Sequence, residues 1–351
     1  MAGKVTIRDL AREAGVSLST VSGVLNGVAE FSEPTKKKVW AVANAMGYVP
    51  NTQARRLRAG DAEGARRKTG VIIHISHLGD ETPLGNAFEA ERSLLLAWEA
   101  EKYGMYPISY WYRHLKGFQC PPVLNGTVDG AIVGTPHPEV VEALRGKLPM
   151  VLMDVPFSPQ MADVPMVNTD WNHGVAQLLA HLRGLGHRRI GVISAADPGE
   201  GIFGEADMLG KIVAAARANG IEIHPECQRQ VEITPETHER VMDEVSPHYA
   251  AHVRTGGISA IVCPNCAYAS SFLRAFRPLG LRVPEDVSLA TTNYYPQPSA
   301  PLICSASNDW PGLVKTSLET LRKSIDGKPL YCQEFLVRPN FHPGSTVGAA
   351  R

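Results

Sequence analysis

No uninterrupted apolar run in this chain approaches the ~20 residues that a membrane-spanning helix needs, so no membrane span is expected. The opening stretch, MAGKVTIRDLAREAG, is charged and patterned like a helix. It has no apolar signal core, and secretion is not expected. Cysteine is sparse: six residues in 351 do not make a disulfide framework. They are read as reduced thiols of a cytoplasmic protein. No G-x-S-x-G, H-E-x-x-H or P-loop string occurs, so nothing argues for an enzyme. Net charge is missing as well, with Lys+Arg and Asp+Glu both at 35.

That zero hides an asymmetry. Residues 1–69 carry twelve Lys/Arg against six Asp/Glu, leaving the rest of the chain acidic by the same amount. A basic segment on a mildly acidic body points to a polyanionic partner at one end. The length predicts two or three domains, and 44% hydrophobic with 20% charged residues is ordinary globular composition.

The basic segment reads as three short helices. Thr6 is placed to cap the first, with Asp9 in its first turn. Ile7, Leu10, Ala11 and Ala14 share one face. Gly15 permits a tight turn. Ser17 caps a second helix over Leu18–Leu25, with Val21, Val24 and Leu25 inward and Asn26-Gly27 ending it. Ser32-Glu33-Pro34 opens a third, with an apolar stripe of Val39, Val42, Ala43 and Met46 and a stop at Gly47. Two short helices around a glycine turn, then a third, make a helix-turn-helix unit.

The strings VTIRDLAREAGVSLSTVSGVLNG and SEPTKKKVWAVANAMGYVPN resemble the opening of LacI/GalR-family bacterial regulators. The resemblance implies that the second helix lies in the major groove. Leu18 and Ser19 then take the two base-reading positions: leucine can cover a thymine methyl, and serine can bond a base edge or phosphate. Thr6, Ser17, Thr20, Ser22 and Asn26 match positions that mostly contact phosphate. Ser17 is equally readable as a plain N-cap. One departure stands out, because Gly23 occupies a position where the family usually has arginine. That removes a guanine contact of about 1–3 kcal/mol in discrimination and weakens the helix by about 1 kcal/mol, so an operator unlike the family's usual half-site is expected.

Residues 49–59 resemble the family hinge, a short helix that orders on DNA. By that resemblance Leu57 wedges into a minor-groove step, while Asn51, Gln53, Arg55 and Arg58 stand at DNA-contacting positions. The plainer alternative is a basic linker helix. Residues 60–69 read as a flexible linker.

From residue 70 onward, strands and helices alternate, which implies parallel sheets covered by helices. A strand is expected near 229–233, among others. LGHRRIG (185–191), GLRVPEDVS (280–288) and GST (344–346) also resemble the family. The implied fold is an α/β core of two Rossmann-like, periplasmic-binding-protein-like lobes behind an all-α helix-turn-helix domain. The domain reading is 1–48 headpiece, 49–59 hinge, 60–69 linker and 70–351 effector-binding and dimerisation core. The N-lobe covers about 70–160 and 297–328, and the C-lobe about 165–293 and 331–345. The chain is expected to cross between lobes near 155–167, 293–301 and 325–331.

A small effector belongs in the cleft between such lobes. The candidates are His74, His77, Asp154, Asp207, Asn265, Asn293 and Tyr294. Each is also readable as a solvated loop residue or a cap. Asp207 stands where the family often has arginine, Asn265-Cys266 replaces Asn-Asp, Thr291-Thr292-Asn293-Tyr294 replaces a G-[FY]-D-D string, and Ser307 replaces glutamine. Losing the arginine and aspartate that clamp hydroxyls argues against an ordinary sugar. Cys263-Pro264-Asn265-Cys266 has the spacing of a thiol redox pair, which leaves a redox protein as the alternative, beside a regulator whose effector site has degenerated. The histidines are scattered, and no metal site or cofactor is expected. The expected function is a repressor that binds operator DNA as a homodimer under small-molecule control.

Overall fold

The computed structural model describes residues 6–25, 31–46, 68–77, 87–112, 118–124, 126–134, 137–195, 205–233, 237–292 and 302–351. The chain divides into two compact units, Met1–Arg67 and Lys68–Arg351. Lys68 and Thr69, read above as linker, are already tied to the larger unit through Asp326 and Asp129.

The smaller unit contains α1 (Ile7–Ala14), α2 (Leu18–Leu25) and α3 (Glu33–Ala45). Helix α1 starts at a capping box. The Asp9 amide donates to Thr6 Oγ1, and the Thr6 amide donates to Asp9 Oδ2 at 2.9 Å. The Thr6 hydroxyl and amide, both donating to Asp9 Oδ2, hold the Asp9 carboxyl below its ordinary pKa. Gly15, at φ 60°, stops the helix in the left-handed conformation. The Thr20 amide donates to Ser17 Oγ at 3.0 Å and starts α2. Leu10, Ala14, Val21, Val24, Leu25, Val39 and Ala43 close the core.

The larger unit holds two six-stranded sheets. The first has strands β1 (Val71–His77), β2 (Tyr106–Tyr112), β3 (Gly130–Val133), β4 (Met150–Met153), β5 (Met166–Thr169) and β11 (Glu334–Val337), in the order β11-β5-β4-β3-β1-β2, all parallel. Helices α4 (Ala87–Ala100) and α11 (Trp310–Ile325) cover one face, and α5 (Pro121–Leu124) and α6 (Pro138–Leu144) the other. The second sheet has β6 (Arg189–Ala195), β7 (Glu222–Val231), β8 (Ala260–Cys263), β9 (Ser288–Thr292), β10 (Cys304–Ser307) and β12 (Asn340–His342), ordered β12-β10-β9-β8-β6-β7. Its faces are covered by α7 (Trp171–Gly184) with α8 (Glu205–Ala218), and by α9 (His238–Arg254) with α10 (Cys266–Phe276).

The crossings between sheets differ from the expected positions. Met166–Thr169 pairs with β4 and so belongs to the first sheet, and the chain leaves that sheet only at residue 170. Cys304–Ser307 pairs with β9 in the second sheet, and the return comes just before α11. The last crossing separates β11 from β12. Each crossing therefore lies after its expected place, because the strands beside it are four residues or fewer and mix polar residues with apolar ones. β7 is also longer than the strand expected near 229–233. Pro225 and the adjoining charged residues mask its first half.

Gly344 sits at φ 59°, and a Cβ there would lie 2.5 Å from both the Cys304 nitrogen and the Leu302 oxygen. The turn it makes lets Ser345 donate to Leu302 O at 2.7 Å. It also lets the Thr346 hydroxyl donate to Leu289 O while accepting from Cys304 N. Gly344→Ala is expected to lower core stability by about 2–4 kcal/mol, from left-handed strain plus backbone overpacking. Urea denaturation followed by circular dichroism reads it.

Candidate nucleic-acid interface and effector cleft

Helix α2 buries Val21, Val24 and Leu25 and turns its start outward. Ser17, Leu18 and Ser19 are exposed, with Leu18 at 40%, and Ser22 is half-buried one turn on. A leucine held in water at a helix start has no role in the bundle's own core. The Ser17 hydroxyl bonds to those of Ser19 and Thr20, at 2.7 and 2.8 Å, so Ser17 is an N-cap whatever else it contacts. Thr6 is exposed at the start of α1. Asn26, Asn51, Gln53, Arg55, Leu57 and Arg58 lie outside the described residues.

Gly23 has a packing reason that sequence alone did not reveal. A Cβ at this position would overlap the Phe31 ring, which packs against the headpiece core. The family arginine therefore cannot simply be restored. Gly23→Ala is expected to destabilise the headpiece by about 1 kcal/mol, overpacking outweighing the ~1 kcal/mol gain in helix propensity. The same change in a Phe31→Ala background is expected to stabilise. A double-mutant cycle on headpiece melting measures the coupling.

The carboxyl ends of the first sheet's strands carry a polar and aromatic rim. His77 ends β1 and is half-buried. Its ring lies 5.1 Å from Tyr112 at the end of β2 and 4.9 Å from His137, which leads into α6. Tyr112 Oη pairs with His137 Nδ1 at 2.6 Å. Asp154, just past β4, is the one non-glycine residue at positive φ (54°) among the described residues. Asp tolerates this conformation, and such positions cluster at functional sites. Thr169 Oγ1 lies 3.4 Å from Asp154 Oδ1 and accepts from Asn308 Nδ2 at 2.9 Å. This chain of polar groups links the two crossings at residues 170 and 308.

His74 does not join the rim. It is fully buried inside β1, facing α4 because side chains alternate along a strand. Arg92 Nη2 donates to Ser76 Oγ at 3.1 Å, and Ser76 Oγ lies 3.3 Å from His74 Nε2. Burial, aided by the Arg92 charge, pushes the His74 pKa down to about 3. Its depth follows from strand register, since it stands three residues before the strand end.

In the second sheet, Asn265 caps α10, accepting from Ala267 N at 2.9 Å, the plainer of its two readings. Asp207 lies in the first turn of α8, and its side chain is outside the described set, as are Asn293 and Tyr294. Cys263 and Cys266 are both free. Burial drives the Cys263 thiol far above its ordinary pKa, opposite to what a thiolate nucleophile needs.

Residues 6–51 match the model of bacterial regulatory proteins of the lacI family, and residues 179–347 that of the periplasmic binding protein-like domain. The chain belongs to the LacI family. This LacI-family chain is a DNA-binding transcriptional regulator with an effector-binding domain, and it is not an enzyme. It is 26% identical to the HTH-type transcriptional regulator reg1 of Streptomyces lividans, over 98% of this chain and 97% of that protein. It is 29% identical to the HTH-type transcriptional repressor PurR of Escherichia coli, over 81% of this chain and 79% of that protein. Lac repressor, solved as a dimer bound to operator and the anti-inducer ONPF, shares its fold with a TM-score of 0.74 at 21% identity, covering 99% of this chain and 100% of that one.

Sequence reasoning on this LacI-family regulator missed Arg92, Tyr112, His137 and Asn308. Arg92 was detectable in principle as the one cation in the α4 segment AFEAERSLLLAWEA. It is 4% exposed and lies 5.6 Å from the Trp310 ring centroid, a cation–π arrangement. The others carry no local signal. Among the described residues, no helix is long and apolar enough to cross a membrane.

Proposed function

We propose that this regulator is a cytoplasmic repressor that binds a palindromic operator as a homodimer and is controlled by a small molecule between its lobes. The observation that carries the reading is the outward start of α2, where Leu18 and Ser19 stand exposed on a capped helix. One headpiece offers few base contacts, so two half-sites matching a two-fold dimer are needed for specificity. The operator-bound Lac repressor dimer, with the same fold, supports that pairing. Leu57 acts as the hinge wedge, with Asn51, Gln53, Arg55 and Arg58 on the backbone around it.

The effector sits at the carboxyl ends of the strands, against His77 and Asp154 from the first sheet and Asp207, Asn293 and Tyr294 from the second. His74 supports the wall without lining it. A rim of histidine and tyrosine, with no arginine at position 207, fits a polar aromatic ligand better than an ordinary sugar. Effector binding shifts the angle between lobes, and the Asn308–Thr169–Asp154 chain lies where that angle is set.

Selection of binding sites from a random DNA pool tests the reading. Enrichment of a palindrome by the intact protein, lost on deleting residues 1–59, is the expected result. No enriched site at low salt, where phosphate contacts are strongest, refutes specific operator binding.

A further inference from the structure

The edge strand β7 departs from the register of its neighbour. Ile190 pairs with Ile223 and Val192 with Gln228, so the single residue Gly191 on β6 is opposed by four on β7. Those four, His224-Pro225-Glu226-Cys227, form a bulge. Gly191 is required beneath it, since a Cβ there would meet Cys227 Cβ at 3.2 Å and the Tyr249 ring at 2.9 Å. The C-terminal turns of α9 bring His248 and His252 to the same place, one helical turn apart on one face. His248 Nε2 donates to the Glu226 carbonyl at 2.7 Å and holds the bulge.

The result is a cluster. The rings of His224 and His252 are 4.5 Å apart, and the donor atoms of His224, Cys227 and His252 all lie within 4.8 Å of one another. Cys227 is fully buried, and the two histidines are half-buried. Nδ1 of His224 is buried with no hydrogen-bond partner, a costly state when nothing fills it. Glu226 Oε2 lies 3.0 Å from His252 Nε2. That contact holds the ring in place, as carboxylate–histidine pairs do behind metal ligands.

We propose that His224, Cys227 and His252 bind a zinc ion that ties the β7 bulge to the end of α9. One thiolate with two imidazoles is a zinc donor set and a poor one for magnesium or calcium. Tetrahedral zinc with bonds of ~2.0–2.3 Å sets its ligand atoms about 3.3–3.8 Å apart. The donors must draw in by about 1 Å, within reach of side-chain rotation. Water takes the fourth position on the half-exposed side. On binding, the Cys227 S–H bond breaks, the proton leaves to solvent and the sulfur bonds the metal. The site lies toward the amino ends of the second sheet's strands, away from Cys263 and Asn265 at the carboxyl ends, so it is a structural staple separate from the effector cleft. His224, His248 and His252, expected to be scattered, come together here. His224-x-x-Cys227 has ligand-like spacing, and the strand bulge brings the pair to His252 at the end of α9.

The test is a Co2+ titration of untagged full-length protein, followed by displacement with Zn2+. Binding of about one Co2+ per chain, with a thiolate-to-cobalt charge-transfer band bleached by Zn2+, is expected for this ligand set. Cys227→Ser loses the band, and His252→Ala weakens binding at least ~100-fold. Glu226→Gln, which removes only a positioning group, weakens it ~10–100-fold. Cys266→Ser and Cys332→Ser leave the band intact. Folded wild-type protein without the band at saturating Co2+, or a band that survives Cys227→Ser, overturns the proposal. The wild-type titration decides even if Cys227→Ser fails to fold.

Discussion

Leu10→Ala is expected to abolish specific DNA binding while leaving the thermal transition of the core where it is. Leu10 is fully buried at the centre of the three-helix cluster, against Ala14, Val21, Val39 and Ala43. Truncating a buried leucine costs about 2–5 kcal/mol. A bundle of this size has only about 2–5 kcal/mol of stability in total, and domains below ~60 residues are marginal because they bury a small share of their surface. The headpiece therefore unfolds at equilibrium, taking the exposed face of α2 with it. Affinity for the selected operator falls at least ~100-fold, each factor of ten being about 1.4 kcal/mol. Fluorescence anisotropy with labelled operator reads the loss, and calorimetry reads the core. Operator binding at wild-type affinity by Leu10→Ala would mean that this bundle is not the reader.

The headpiece was legible because its determinants are local. Thr6, Asp9, Gly15 and Ser17 cap or stop helices within four residues of themselves, so spacing alone places them. Gly23 was half legible: its missing side chain was plain, but the reason lay in Phe31, beyond the end of the helix. The larger unit was legible as alternating strands and helices, yet its crossings were misplaced. A four-residue strand such as Cys304–Ser307 earns its place by pairing with β9 and β12, and pairing leaves no periodicity in so short a string. The cleft was least legible. Its rim is assembled from the ends of strands far apart in the chain, and Arg92, from a helix, is buried against Ser76. His74 shows the converse, since the depth of a polar residue in an apolar strand is not written in the string.

That depth has a consequence for acid stability. His74 titrates near its ordinary value, ~6.5, in the unfolded chain, and at about 3 in the folded core. A depressed histidine pKa means that the unfolded chain binds a proton that the folded one refuses. Stability is therefore full above pH ~6.5 and drains away as pH falls toward ~3. The slope from this one group approaches 1.4 kcal/mol per pH unit in mid-window, and the accumulated loss is on the order of 3–5 kcal/mol. The geometry gives the same sign. Arg92 has no lone pair to offer, so its bond to Ser76 leaves the serine hydroxyl to donate to His74 Nε2, which must then be unprotonated. Protonation would break that bond and bury a second charge beside Arg92. His187, also depressed by burial, adds to the slope in the same direction. The lowered carboxylates Asp9, Asp163, Asp286 and Asp326 begin to act only below about pH 5, so the interval from pH ~6.5 to ~5 belongs to the histidines. Urea denaturation across that interval should show the slope in the wild type and a shallower one in His74→Gln, which keeps an acceptor but cannot titrate. Equal slopes in the two proteins would show that His74 is not the group that carries the acid sensitivity.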